Sequence, residues 1–182
     1  MAVKTFVDAV SLPASDINTY LANSGLVYVT SQTVGTGVSS VTVTGAFNSA
    51  YDNYRIIYSG GVGSTTQDLR IQLGSATTNY YSFLFYGNYA SNAVNGLGSN
   101  NTTAFLYTGG TDGSFTMLNV DLFNPFNALP TTISSVGNLS AGNFGVFSGR
   151  HAANTSFTAF TLTPNGGTLT GGTITVYGYR KA

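Results

Sequence analysis

Cysteine, tryptophan and glutamate are absent from this chain of 182 residues, and only 12 residues carry a charge. Without cysteine, neither a disulfide framework nor a thiolate metal site can form. The six basic residues are scattered along the sequence and balance six aspartates, so the formal net charge is zero. Nucleic-acid-binding proteins cluster lysine and arginine to neutralise phosphates. The composition therefore argues against a nucleic-acid partner.

Long hydrophobic runs are also missing. No apolar stretch approaches the roughly 18 residues of a membrane-spanning helix, and Asp8 lies where a secretory signal would have its hydrophobic region. We therefore expect that the protein does not insert into a membrane. We also expect that it is synthesised in a cytoplasm.

Groups for catalysis and metal binding are scarce. His151 is the sole histidine, and no Gly-x-Ser-x-Gly elbow, His-x-x-x-His pair or calcium-loop pattern occurs. The glycine pairs lack the continuation that aims backbone amides at a phosphate. A glycosidase would need two facing carboxylates, but the eligible aspartates lie in turns or strands where structural roles suffice. We therefore predict no enzyme activity, no metal and no cofactor, and assign structural roles to Asp52, Asp68, Asp112 and Asp121.

Serine, threonine, asparagine and glycine make up 85 of the 182 residues, and tyrosine and phenylalanine add 24. From Leu26 onward, short β-branched or aromatic segments alternate with period two and are separated by turn signals such as Asn95-Gly96 and Asp112-Gly113. This pattern predicts an all-β domain over residues 26–182, an antiparallel, jelly-roll-like β-sandwich of about 8–10 strands. The predicted strands include residues 27–29, 41–43, 54–58, 69–73, 81–85, 115–120, 131–133, 157–162 and 173–177.

The first 25 residues differ from the rest. A Ser or Asp cap, apolar residues at helical spacing and Gly25 as a stop predict a short helix at about 15–23. Because an isolated helix of two turns is marginal, we interpret residues 1–25 as a docking arm. Its contact residues would be Ile17, Tyr20 and Leu21.

An aromatic cluster at residues 79–89 precedes the longest stretch without a predicted strand, residues 87–101. Alternation places Tyr81, Phe83 and Phe85 on one strand face, and two interpretations stay open. The cluster is either core plus subunit interface, or a platform for glycans or protein loops. Candidate interface residues are Tyr80, Phe123, Phe126 and Leu129. Candidate residues for contact with a host surface or ligand are Tyr86, Tyr89, Asn92, Asn95, Asn100 and Asn101.

Three stretches carry a family resemblance: VSLPASDINTYLANSGLVYV at 10–29, FNSAYDNYRI at 47–56 and GGTITVYGY at 171–179. Together they resemble small virion proteins of tailed bacteriophages. Within the second stretch, Arg55 is a candidate ion-pair partner of Asp52. The resemblance implies a short amino-terminal segment followed by one jelly-roll-like sandwich, often trimeric, and it transfers no catalytic residues.

The resemblance and the neutral, aromatic-rich composition lead to one expected function and one alternative. The expected function is a trimeric tail-fibre or tail-tip appendage that mediates attachment to the host surface. The alternative is a capsid decoration, cement or head-fibre protein with a purely structural role. Expected partners are further copies of the chain, other virion proteins and a bacterial surface glycan or protein. The expected location is the virion.

Overall fold

A computed structural model describes residues 25–138 and 142–181, most of which lie in strands. Strand accounts for 62% of the structure, and the predicted all-β antiparallel class is confirmed. The predicted helix, with Ile17, Tyr20 and Leu21, lies outside the described residues. The strands in the described part of the chain are β1 (Leu26–Thr33), β2 (Val41–Val43), β3 (Tyr51–Ser59), β4 (Val62–Gly63), β5 (Gln67–Leu73), β6 (Tyr80–Asn88), β7 (Ala93–Thr102), β8 (Phe105–Thr111), β9 (Thr116–Phe123), β10 (Thr131–Asn138), β11 (Asn143–His151), β12 (Phe160–Pro164), β13 (Leu169–Thr170) and β14 (Thr173–Arg180).

Strand β9 organises the sheet because it has three neighbours. One edge pairs with β3 along residues 118–123. The other edge pairs first with β8, at residues 116–118, and then with β10, at residues 120–123. The sheet therefore divides at β9. We call β8-β5-β12-β2 the first branch, β10-β11-β6-β7 the second branch and β9-β3-β14-β1 the trunk.

The core lies between the branches and the trunk, on the inward face of each strand. Strand β8 contacts β6, β10 and β11, which brings the two branches face to face. Phe105 of β8 packs edge-on against Tyr80 of β6, with ring centroids 4.9 Å apart, and also edge-on against Phe147 of β11, with centroids 6.4 Å apart. The period-two alternation read from the sequence supplies these inward residues. They include Tyr54, Ile56, Leu69, Ile71, Leu73, Leu84, Phe160, Leu162, Ile174 and Val176.

The predicted loop at residues 87–101 is wrong for most of its length. Strand β6 continues to Asn88 and β7 begins at Ala93, so only residues 89–92 form the turn of a hairpin. Asn95-Gly96, predicted as a turn, lies inside β7 opposite Tyr86 and Phe85. The glycine and asparagine content of β7 hid a strand that forms because β6 offers it a complete edge of backbone hydrogen-bond partners.

The predicted pairing of Arg55 with Asp52 is also wrong. Residues three apart on a strand point to opposite faces, and Asp52 instead accepts from Lys181 Nζ at 2.8 Å. Arg55 lies directly opposite Asp121 of β9. Its Nε donates to Asp121 Oδ1 at 2.8 Å and its second nitrogen donates to Oδ2 at 2.6 Å. Tyr179 donates to the same carboxylate at 2.6 Å.

Candidate binding surface

The outward face of the second branch is apolar. In the strand register, Val136 lies beside Val146, and Val146 lies beside Phe85, so three exposed apolar side chains form a row across β10, β11 and β6. Their exposed fractions are 68%, 52% and 56%. We call this surface the apolar outer face; it comprises Tyr81, Phe83, Phe85, Tyr89, Val94, Val136, Phe144 and Val146.

Neighbouring rows extend the same surface. Phe144 of β11 lies beside Gly87, and Gly87 lies beside Val94 of β7. Tyr89, at the hairpin turn, brings its ring to 6.2 Å from that of Phe144. Phe83 lies over Gly96, where a Cβ would come within 2.7 Å of the phenylalanine ring. The Phe83 ring therefore packs against a backbone position that has no side chain.

The hairpin turn is held by asparagine. Asn88 Oδ1 accepts from the backbone nitrogens of Ala90 and Ser91 at 3.0 and 3.2 Å. Asn92 has φ +53°, a left-handed conformation that asparagine tolerates better than most residues. Tyr89 is 71% exposed between them. Local side-chain bonds thus present this tyrosine to solvent.

The six predicted contact residues do not form one site. Tyr86, Tyr89, Asn92 and Asn95 lie at the hairpin end, but Tyr86 is half-buried and packs against the core. Residues 100 and 101 lie at least five residues beyond Asn95 along β7, a distance of about 16 Å or more at the spacing of an extended strand. There Asn101 Oδ1 accepts from the Asn79 backbone nitrogen at 2.8 Å. The structure therefore separates the asparagines into two groups.

The predicted subunit interface is wrong at Tyr80. This side chain is fully buried, and its hydroxyl accepts from the Leu73 backbone nitrogen at 2.8 Å. Burial raises the pKa of Tyr80 to about 12. Phe126 is partly buried against the core, whereas Phe123 and Leu129 are 37% and 50% exposed. Only the last two present substantial surface.

The aspartates have structural partners. Asp112 Oδ1 accepts from the backbone nitrogens of Ser114 and Phe115 at 2.7 and 3.0 Å, which fixes the turn before β9. Burial alone would raise the pKa of Asp121, but the hydrogen bonds from Arg55 and Tyr179 hold it below its usual value. These carboxylates act as acceptors in turns and ion pairs.

His151 is buried at the end of β11, with its ring 4.7 Å from that of Tyr80 and 5.1 Å from that of Phe157. Among the described residues, its Nδ1 has no hydrogen-bond partner. Burial lowers its pKa, although hydrogen bonds with the backbone at Ala153 and Thr78 oppose the shift. Over residues 25–138 and 142–181, no three or more of the histidine and aspartate side chains come together as a metal site. In the same residues, no helix has the length and apolarity to cross a membrane.

The strand alternation identified part of this surface and missed the rest. It placed Tyr81, Phe83 and Phe85 on one face, but β11, with Phe144 and Val146, was not predicted as a strand. The alternation Phe144-x-Val146 was the available signal.

Comparisons of the chain with protein-family models, with curated proteins and with solved structures gave no match. The arrangement of the side chains on this surface supports binding by packing and by neutral hydrogen bonds. An apolar sheet face bordered by an exposed tyrosine and asparagine amides is suited to those two modes.

Proposed function

We propose that this chain is a structural protein of a tailed-bacteriophage virion, a trimeric tail-fibre or tail-tip appendage that attaches to the host surface through the β6–β7 hairpin turn. Support comes from the sequence resemblance at residues 10–29, 47–56 and 171–179. The observation that carries the proposal is the position of the turn, where Tyr89 is 71% exposed.

The turn lies at one end of the sheet, and the start of β1 and the end of β14 lie at the opposite end. Leu26 pairs with Tyr179, and Arg180 pairs with Tyr51 at the start of β3. Following the antiparallel pairing through β9, β10 and β11 places the start of β6 at this same end. The hairpin turn at 89–92 therefore projects from the opposite end. A protein anchored near the outer ends of β1 and β14 would hold the turn outward.

The turn offers a flat ring and amide groups without charge. Such groups bind sugars or protein loops by stacking and neutral hydrogen bonds. Because salt screens only charge interactions, attachment through Tyr89 and Asn92 should depend little on ionic strength.

The test is adsorption of phage that carry Tyr89→Ala. Loss of one aromatic anchor costs about 1–2 kcal/mol, so adsorption affinity should fall roughly ten-fold, equally at low and high salt. Tyr28→Ala is the matched control, because Tyr28 is 60% exposed on β1, away from the hairpin. Parental adsorption by the Tyr89→Ala phage would remove the turn from the attachment mechanism.

The alternative, a capsid decoration, cement or head-fibre protein, is favoured by one specific observation. Phe83, Phe85 and Val146 are exposed but offer no hydrogen bonds to a sugar, and such a surface is suited to contact with another virion protein. Copy number per virion separates the two roles. Tens of copies would indicate a tail appendage, whereas hundreds would indicate a capsid coat.

A further inference from the structure

We propose that the apolar outer face, apart from Tyr89 at the hairpin turn, is a contact surface between copies of this chain, with Val146 near its centre. The inference depends on the structure alone and does not require a role in a virion. It commits to a second copy as the occupant, for reasons of area and charge.

The first reason is area. Without Tyr89, the side chains of the apolar outer face are 39% to 68% exposed and together present on the order of 700 Å², which exceeds the largest apolar patch of a typical monomer. A standard protein interface buries about 800 Å² on each partner. Two such faces therefore supply the area of a stable contact.

The second reason is the absence of charge. Val146 lies between Val136 and Phe85 in one row, and the neighbouring row contains Ser134, Ser148 and Phe83. The one charged side chain among the outward positions of β6, β7, β10 and β11 in the described residues is Arg150, beside Tyr81 at one end. A charged partner would lose hydration without gaining an ion pair near the centre. An uncharged apolar partner loses little.

The chain itself provides that partner. The outward residues of the first branch are polar, with Thr42 beside Thr161 and Arg70 beside Thr163. Burying those residues would remove polar groups from water. The apolar outer face of one copy is therefore matched best by the same face of other copies, and in the proposed trimer the three faces would meet around the three-fold axis.

The test is sedimentation velocity of the purified full chain over a range of concentrations. The parent should associate at micromolar concentration. Val146→Glu should raise the dissociation constant at least ten-fold, because it buries an unpaired carboxylate at the centre of the contact. Thr42→Glu introduces the same charge at an exposed position of β2 and should change the constant less than two-fold.

A second variant guards against misfolding. Val146→Thr keeps the shape and β-branching of valine, which is 52% exposed, and should weaken association several-fold while circular dichroism and thermal unfolding stay parental. An 18.9 kDa monomer at about 100 µM parent protein would overturn the inference. Equal association by parent and Val146→Glu would also overturn it. Because no phage or host enters this experiment, its outcome is separate from the adsorption result.

Discussion

The outward faces of the two branches differ although their inward faces are alike. Both branches alternate with period two and bury phenylalanine or leucine toward the same core. Outward, the first branch carries hydroxyl, amide and charged groups, and Thr42 and Thr161 share a hydrogen bond of 2.9 Å. The second branch carries Phe83, Phe85 and Val146.

This difference separates the residues that stabilise the fold from the residues that are available to bind a partner. The inward residues satisfy the requirement for a core, which any sandwich has. The outward residues are free of that requirement, so a polar face is the default in water and an apolar face requires another explanation. The second branch is therefore where we place binding.

The largest expected effect tests whether the two inward faces are equivalent. Phe147→Ala in β11 and Phe160→Ala in β12 remove side chains that are 1% and 0% exposed. Each should lower the free energy of unfolding by about 3–5 kcal/mol, measured by chemical denaturation. A cost below about 1 kcal/mol for Phe147→Ala would show that the second branch packs loosely, and the comparison would then fail.

A smaller effect compares glycines near the branch point with glycines on the apolar outer face. A Cβ on Gly109 would lie 2.3 Å from the Met117 carbonyl oxygen, a backbone atom that cannot move without disturbing β9. Gly109→Ala should therefore cost about 2–3 kcal/mol. A Cβ on Gly98 would meet only the Phe83 ring, at 3.8 Å. Gly98→Ala should change stability by less than about 0.5 kcal/mol, and denaturant midpoints for the pair would check both values.

The smallest effect concerns pH, because His151 lies inside the second branch. Burial lowers its pKa below the ordinary 6.5, so the unfolded chain binds a proton more readily than the folded one. The contribution of His151 to the free energy of unfolding is therefore fully present above about pH 6.5. Below that pH the free energy of unfolding falls, by at most about 1.4 kcal/mol per pH unit.

Unfolding curves from pH 7.5 to 5 should show that loss, and His151→Phe should flatten it. The carboxylates of Asp52, Asp112 and Asp121 have pKa values held below 3.8. Their contribution is lost only at lower pH, so they do not obscure the window. An unchanged slope in the variant would show that His151 is not the titrating group.

Most of the strands that were predicted from the sequence have apolar residues facing inward, although β8, whose Phe105 is buried, was not predicted. Segments such as Leu69-Arg70-Ile71 predict a half-buried strand because apolar residues that face inward alternate with polar residues that face outward. Strand β11 was missed because part of its pattern is inverted. Gly145 faces inward, where a Cβ would come within 2.4 Å of the Phe85 carbonyl oxygen, while Phe144 and Val146 face solvent.

The candidate surface was predictable in part for the same reason. The parity of Phe83 and Phe85 was correct from alternation, but the sequence does not say which face is inward. Tyr80 was assigned to an interface although its face is the buried one. That choice depends on the position of Phe105, which is 25 residues away in sequence and packs against Tyr80 only after β8 joins β9.

The pairing of β1 with β14 has a mechanical consequence. Leu26 and Arg180 leave the sheet at the same end, since Leu26 pairs with Tyr179. A force that pulls these two residues apart would act across the β1–β14 ladder. Its hydrogen bonds would then break one after another, beginning at this end of the ladder. Tension applied along the strands, from Leu26 to the hairpin at Tyr89, would instead load many bonds at once. The domain should therefore resist pulling far better when the load runs from Leu26 to the hairpin than when it runs from Leu26 to Arg180.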